Sequence, residues 1–324
     1  MARMTYRDAV SHTIGLEMER DPSVFLMGED VAPEGAFKTT AGLAARFGDD
    51  RVRNTPIAEQ AILGAALGAA MNGMRPIAEI MFGDFLGVCF DYIVNQIPAW
   101  RYSSGGQVDM PLVIKSSTGG GIGFASQHSH AAENWVMTTP GIKVVVPSNA
   151  ADYKGLMTAA IRDPDPVVVF EVKALYPQKG DVPHGEHVIP LGQASVIGTG
   201  EDVVIIALGS TVKTALSASQ LLQERGIRAR VIDLRCLVPL DTSSVLEHVR
   251  AVGRVVIVEE GPAQLSWGAT IAAIIADEAF SSLKGPIRRL SSANVPTPYA
   301  GVLEAASRVS VAQVLATAEA LMNG

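Results

Sequence analysis

The sequence predicts an α/β protein of two doubly wound domains, on three observations. Apolar runs of strand length alternate with helix-length segments along most of the chain. That rhythm lapses once, from Lys173 to Gly192, where Pro177, Gly180, Pro183, Gly185, Pro190 and Gly192 crowd together as in a connector between two cores. A length of 324 residues with 48% hydrophobic content is also enough for two cores of ordinary size. The expected division is a first domain over residues 1–180, a linker over 181–195 and a second domain over 196–324.

Taken in order, the first domain should open with a helix over Tyr6–Arg20 and a strand at Val24–Met27, followed by a helix headed by Glu59. Thr55 is an acceptable N-cap for that helix and Pro56 suits its first turn. A strand at Pro76–Ile80 and an amphipathic helix near Leu86–Tyr102 come next. The strand Pro111–Lys115 runs into a Gly- and Ser-rich loop, and the strand Lys143–Val146, the helix Asp152–Arg162 and the strand Pro166–Glu171 close the domain. In a parallel sheet that loop faces a ligand, because ligands bind beyond the carboxyl ends of the strands. The second domain should contain strands at Asp202–Leu208, Arg228–Asp233, Arg254–Glu259 and Pro286–Leu290. Its helices are expected over Val212–Arg225, Thr242–Val249, Gly268–Phe280 and Val309–Leu321.

Composition narrows the function. The formal charge is −7 with basic residues scattered, which argues against nucleic acid or an anionic membrane surface as partner. Cys89 and Cys236 are far apart in apolar surroundings, so neither a disulfide framework nor a cysteine metal site is expected, and a reducing cytoplasm fits best. The start lacks the apolar core of a signal peptide and no run is long enough to span a bilayer, so a soluble chain is expected.

Glu59 is the first chemical anomaly: a carboxylate heading the otherwise apolar, small-residue stretch Glu59–Ala70. Burying an unpaired carboxylate costs several kcal/mol or forces it to take up a proton, so the residue needs a partner. That partner is either the first-turn amides or a ligand atom. Gly119-Gly-Gly-Ile-Gly123 lacks the third glycine of a dinucleotide fingerprint and instead marks a sharp turn or a close approach of the backbone. His128 and His130 follow at a spacing that matches no zinc site. On a polar loop at a strand end, His128 reads as readily as a proton-handling group as a packing one, and His130 as structural. Phe90 reads as core, whereas Met81 and Phe85, near a strand end, could make an apolar platform for a flat heterocycle.

Together the residues resemble the beta subunits of thiamine diphosphate-dependent 2-oxo acid and acetoin dehydrogenases, nearly end to end. The resemblance is carried by Met27-Gly-Glu-Asp-Val31, Arg51 to Glu59, Gly73 to Glu79, Arg101 to Gln107, Gln127-His-Ser129, Pro140 to Ser148, Ile161-Arg-Asp163, and Val231-Ile-Asp-Leu-Arg235 with Pro239-Leu-Asp241. It implies a transketolase-like pyrimidine-binding domain followed by a transketolase C-terminal domain. An alpha subunit would bind the diphosphate and its magnesium, in an alpha2-beta2 heterotetramer. The family's Gly-Asp-Gly diphosphate motif occurs nowhere in this sequence, in keeping with that division.

By position, the resemblance makes Glu59 the carboxylate that bonds the aminopyrimidine ring nitrogen and favours its imino tautomer, so that the exocyclic nitrogen can take the thiazolium proton. Ile57, Met81 and Phe85 match pyrimidine-pocket positions. His128 matches a histidine that handles protons as the acyl unit passes to the lipoyl disulfide of an acyltransferase. Leu112, Ala160, Ile161, Asp163 and Asp165 match positions that hold a potassium ion in relatives, largely through main-chain carbonyls, although Asp163 reads equally as a turn residue. Asn54, His130 and Ile97-Pro-Ala-Trp100 depart from the usual pattern. The runs Met81–Asp91, Pro147–Asn149 and Lys173–Tyr176 lean toward acetoin rather than pyruvate enzymes. Two rivals remain: a two-subunit enzyme moving two-carbon units between sugars, and a scaffold subunit without catalysis.

Overall fold

The computed structural model describes residues 1–323. The chain forms two compact units, one of residues 1–118 with 135–191, the other of residues 119–134 with the chain from 192 onward.

The first unit contains the strands β1 (Ala2–Thr5), β2 (Val24–Glu29), β3 (Val52–Thr55), β4 (Arg75–Phe82), β5 (Val113–Thr118), β6 (Lys143–Val145), β7 (Val167–Val172) and β8 (Lys179–Val182). Its helices are α1 (Tyr6–Arg20), α2 (Leu43–Phe47), α3 (Glu59–Met71), α4 (Trp100–Ser103) and α6 (Ala150–Arg162), with the short α5 (Glu133–Val136) at its edge. Strands β6, β7, β5, β4, β2 and β3 lie side by side in that order, all parallel. Every residue of β5 and β7 is buried, which is why they read as apolar runs without alternation. α1 starts where expected because Thr5 and Asp8 form a capping box, with Asp8 N donating to Thr5 Oγ1 at 3.0 Å and Thr5 N to Asp8 Oδ2 at 3.3 Å.

Three local expectations are corrected. The helix near Leu86–Tyr102 is broken into a 3-10 turn at Gly83–Gly87, a π-helical turn at Tyr92–Gln96 and the single turn α4. Gly87 and Pro98 interrupt the run, since glycine weakens a helix and proline removes an amide donor. Thr55 is not the N-cap of α3: it ends β3, and α3 begins at Glu59 behind Ala58, which offers no capping side chain. The stretch after Lys173 is not all connector, because β8 pairs antiparallel with β1, from Ala2 opposite Val182 to Thr5 opposite Lys179.

The second unit contains β9 (Ser195–Ile197), β10 (Val203–Ala207), β11 (Ala229–Asp233), β12 (Cys236–Val238), β13 (Val255–Pro262) and β14 (Arg288–Ser292). Between and after them run α7 (Ser210–Glu224), α8 (Thr242–Val252), α9 (Trp267–Glu278), α10 (Gly301–Ser307) and α11 (Val311–Asn323). The sheet order is β14-β13-β10-β11-β9, parallel except for β9 at the edge. Val203, Ile205 and Ala207 of β10 pack with Ala215, Ala218 and Leu222 of α7 and with Val314, Ala318 and Leu321 of α11 in one apolar core.

Candidate active site

The carboxyl ends of neighbouring strands in the first unit carry the residues the sequence singles out. β2 ends at Glu29, β3 at Thr55, and β4 at Phe82 after a register shift between Ile80 and Phe82. Ile57 and Glu59 come soon after β3, Met81 is the next-to-last residue of β4, and Phe85 sits in the 3-10 turn after it. Gln60 Nε2 donates to Val88 O at 3.1 Å and so ties the head of α3 to the segment after Phe85. Ile57, Glu59, Met81 and Phe85 thus belong to one end of one sheet. His128 lies on the 119–134 loop of the second unit.

Glu59 is half-buried in the first turn of α3, where the helix dipole favours a carboxylate. Among the described residues no cation is paired with it. Glu29 is held above the usual carboxylate range, first by burial and then by the charges of Asp30 and Glu59. The buried Cys89 thiol is pushed up to about 12, first by burial and then by Glu59. Among the described residues no donor is hydrogen-bonded to the Glu59 carboxylate, and Thr55 Oγ1 nearby along the chain is buried without a partner. Phe85 packs edge-on against Phe82, with centroids 5.5 Å apart and planes at 73°, and Phe82 packs likewise against Phe37 at 5.4 Å and 83°.

Sequence reasoning missed the charged group beneath this end of the sheet. Lys115 on β5 is fully buried and bonds Glu79 on β4 at 2.7 Å, Glu171 on β7 at 3.2 Å and Thr39 Oγ1 at 3.2 Å. Tyr153 and Tyr176 donate to the two oxygens of Glu171 at 2.7 and 2.9 Å. Burial works against the Lys115 charge, but Glu171 and Glu79 outweigh it and hold the ammonium above its usual range. Two carboxylates share that one ammonium, and Glu171 is pushed above the carboxylate range, mainly by burial. The available signal was a charged residue inside an apolar strand, as in Val-Ile-Lys115 and Phe-Glu171-Val.

Asn54 fastens two segments together. Its Oδ1 accepts from Ala32 N at 2.8 Å and its Nδ2 donates to Ala32 O at 3.0 Å, clipping the loop after β2 to β3. Around the five potassium-type positions, protein cations already use the oxygens. Arg75 Nη1 donates to Ile161 O at 2.8 Å and Asp163 O at 3.2 Å, and Lys143 Nζ bonds both Asp163 oxygens at 2.7 Å and Asp165 at 3.3 Å. Arg101 pairs with Asp165 as well. Leu112 O accepts from Val167 N at 3.0 Å and Ala160 O from Asp163 N at 3.3 Å. Asp163 Oδ1 takes Asp165 N at 2.9 Å, the turn role its sequence neighbourhood suggested. Among the described residues, no group of three or more His, Cys, Asp or Glu could hold a metal ion.

In the second unit, Phe124 lies 6.5 Å from the His128 ring, and Gly119 N donates to His130 O at 3.1 Å, closing the base of the loop. Ala125, at φ 60° and ψ −163°, immediately precedes the turn that carries His128. A non-glycine residue in that region costs about 1–3 kcal/mol and persists only where its surroundings enforce it.

Known proteins resemble the chain along its whole length. Residues 2–179 match the family described as "Transketolase, pyrimidine binding domain" and residues 192–314 that described as "Transketolase, C-terminal domain". The beta subunit of acetoin:2,6-dichlorophenolindophenol oxidoreductase from Cupriavidus necator is 43% identical over 100% of this chain and 99% of its own. The 2-oxoisovalerate dehydrogenase beta subunit of Bacillus subtilis is 42% identical over 94% of both chains. The pyruvate dehydrogenase E1 beta subunit of Rickettsia felis is 43% identical over 97% and 96%. Among solved structures, a split-gene transketolase aligns with a TM-score of 0.81 over 99% of this chain and 98% of that one at 24% identity, a likeness of fold. The chain therefore belongs to the transketolase-like beta subunits of the acetoin and 2-oxo acid dehydrogenase family.

Proposed function

We propose that this chain is the catalytic beta subunit of a thiamine diphosphate-dependent dehydrogenase. It cleaves acetoin or decarboxylates a short 2-oxo acid and delivers the acyl group to a lipoyl acceptor. The observation that carries the reading is Glu59: a carboxylate at a helix head, with acidic and apolar neighbours and no protein donor on it among the described residues. Bound thiamine diphosphate would supply a nucleophilic carbon that also serves as an electron sink. Glu59 would accept a hydrogen bond from the aminopyrimidine ring nitrogen and hold the tautomer that can move a proton. Phe85 and Met81 would give the ring an apolar face, Ile57 would cover it from the loop before α3, and His128 would handle the proton of acyl transfer.

The partners follow from the family. An alpha chain would hold the diphosphate and magnesium in an alpha2-beta2 assembly, and a lipoyl acyltransferase would be the acceptor, in the cytoplasm. We leave potassium out of the proposed site. Arg75 and Lys143 already supply cationic partners to the oxygens of Ile161 and Asp163. Identity does not separate acetoin from pyruvate enzymes, at 43% to each, so the lean of the runs Met81–Asp91, Pro147–Asn149 and Lys173–Tyr176 makes acetoin the first substrate to test.

The deciding experiment co-expresses this chain with an alpha subunit of the same family from its source organism and follows thiamine diphosphate- and magnesium-dependent ferricyanide reduction with acetoin, pyruvate and branched 2-oxo acids. Turnover that falls at least about 100-fold in Glu59→Gln, with an unchanged melting curve, is expected for loss of a proton-handling group. Near-normal activity in Glu59→Gln would refute the assignment. Two-carbon transfer between sugar phosphates without a lipoyl acceptor would move the chain to the transketolase reading.

A further inference from the structure

The glycines at 119–123 face three charged side chains. Glu260, near the end of β13, accepts the Gly120 N–H at 2.8 Å. Glu304, on α10, accepts the Gly121 N–H at 2.6 Å through one oxygen and the Gly123 N–H at 3.1 Å through the other. Arg308 Nη2 pairs with Glu260 at 3.2 Å, and the Ser210 hydroxyl donates to the same carboxylate. Both carboxylates are largely buried, at 13% side-chain exposure for Glu260 and 4% exposure for Glu304. Their charge is met by the loop amides together with Arg308 and Ser210. A Cβ at Gly119 would lie 2.9 Å from Glu260, and one at Gly121, where φ is also +93°, would collide with Arg308 Nη1. Glycine is favoured here by the backbone itself, at φ +78° for Gly119 and +93° for Gly121, where a side chain is strained whatever the space around it.

We infer that Glu260, Glu304 and Arg308 clamp this loop and are positioning residues for His128. The inference rests on the proton-handling role of His128 proposed above. A run of four glycines in five residues has little conformational preference of its own, so a histidine five residues beyond it is placed only if something outside the run fixes the backbone. The clamp holds the loop from one side. The Gly119–His130 hydrogen bond closes its base, and Ala125 keeps its unfavourable backbone angles between the two.

The test uses the assembled alpha-beta enzyme. Backbone amide exchange of the 119–130 peptide is read in wild type, Glu304→Ala and Glu304→Gln, beside thiamine diphosphate affinity and acyl transfer to a lipoylated acceptor. Glu304→Ala should speed exchange in that peptide by at least about tenfold and leave the rest of the chain unchanged, as expected when a local clamp opens without global unfolding. Acyl transfer should fall by about tenfold or more with cofactor affinity within about twofold, and Glu304→Gln, which keeps one carbonyl acceptor, should lie between. Added to His128→Ala, Glu304→Ala should cause no further loss, because both act through one group. Unchanged loop exchange, or losses that multiply in the double variant, would overturn the inference. Should Glu304→Ala not fold, Gly121→Ala opens the same contacts from the loop side. A wild type inactive on every oxo substrate would refute the functional reading alone, and the exchange measurement would still decide the clamp.

Discussion

At the scale of single residues, Asn54 and Cys89 show what the site asks of its neighbours. Asn54 both donates and accepts at Ala32, which an aspartate cannot do. Asn54→Asp should therefore set a carboxylate against a carbonyl and lower stability by about 1 kcal/mol, read as a drop in the urea midpoint with unchanged slope. Cys89 carries a pH signature. Its thiol titrates near 9.0 when unfolded and near 12 when folded, so the folded state keeps the proton longer. Between those values the unfolded state binds fewer protons, and stability falls as pH rises. The fall amounts to about 4 kcal/mol at most across the window, and Cys89→Ala should remove it from the difference between pH 9 and pH 11 melting curves. The same burial should make Cys89 unreactive toward alkylating reagents until the chain unfolds.

At the scale of elements, the strands of the first unit are joined by charge as well as by ladders. Lys115→Met would leave Glu79 and Glu171 buried without their cation, at a cost of about 3–5 kcal/mol. The loss should be smaller at pH 5 than at pH 8, because Glu171, already raised by burial, then takes up a proton more easily. Measured stability that is equally low at both pH values would contradict this account. Where α6 ends, Arg75 and Lys143 hold Ile161 and Asp163, so exchanging potassium for sodium should leave the melting temperature where it was. A bound ion at 100 times its Kd would instead add about 2.7 kcal/mol.

At the scale of the whole molecule, the first unit shows water several large apolar side chains: Ile57 is 75% exposed, Val88 53% and Tyr102 90%. Ile57 is one of the proposed cofactor residues and Val88 follows Phe85 closely in sequence, and exposed apolar groups at a site point to a covering partner. Amide exchange around Ile57 and Val88 should slow on assembly with the alpha chain, and equal exchange in the free and assembled chain would refute cover by that partner. No described helix is long and apolar enough to cross a membrane.

The alternation of runs determined the α/β class, the buried parallel strands and most helix spans, because covered strands and capped helices are written in local composition. The sequence also marked Glu59, Met81 and Phe85, since a carboxylate or a platform at a strand end is a local anomaly. Only the tertiary structure decided that α3 starts behind Ala58, that Leu86–Tyr102 breaks into separate turns, and that Lys179–Val182 pairs with Ala2–Thr5. It alone joined Lys115 to Glu79 and Glu171, and Glu260 and Glu304 to the glycine loop. Those contacts link residues from 36 to 183 positions apart. A local pattern reports what a segment prefers, whereas the partner of a buried charge is set by which distant segment the fold brings within hydrogen-bonding distance.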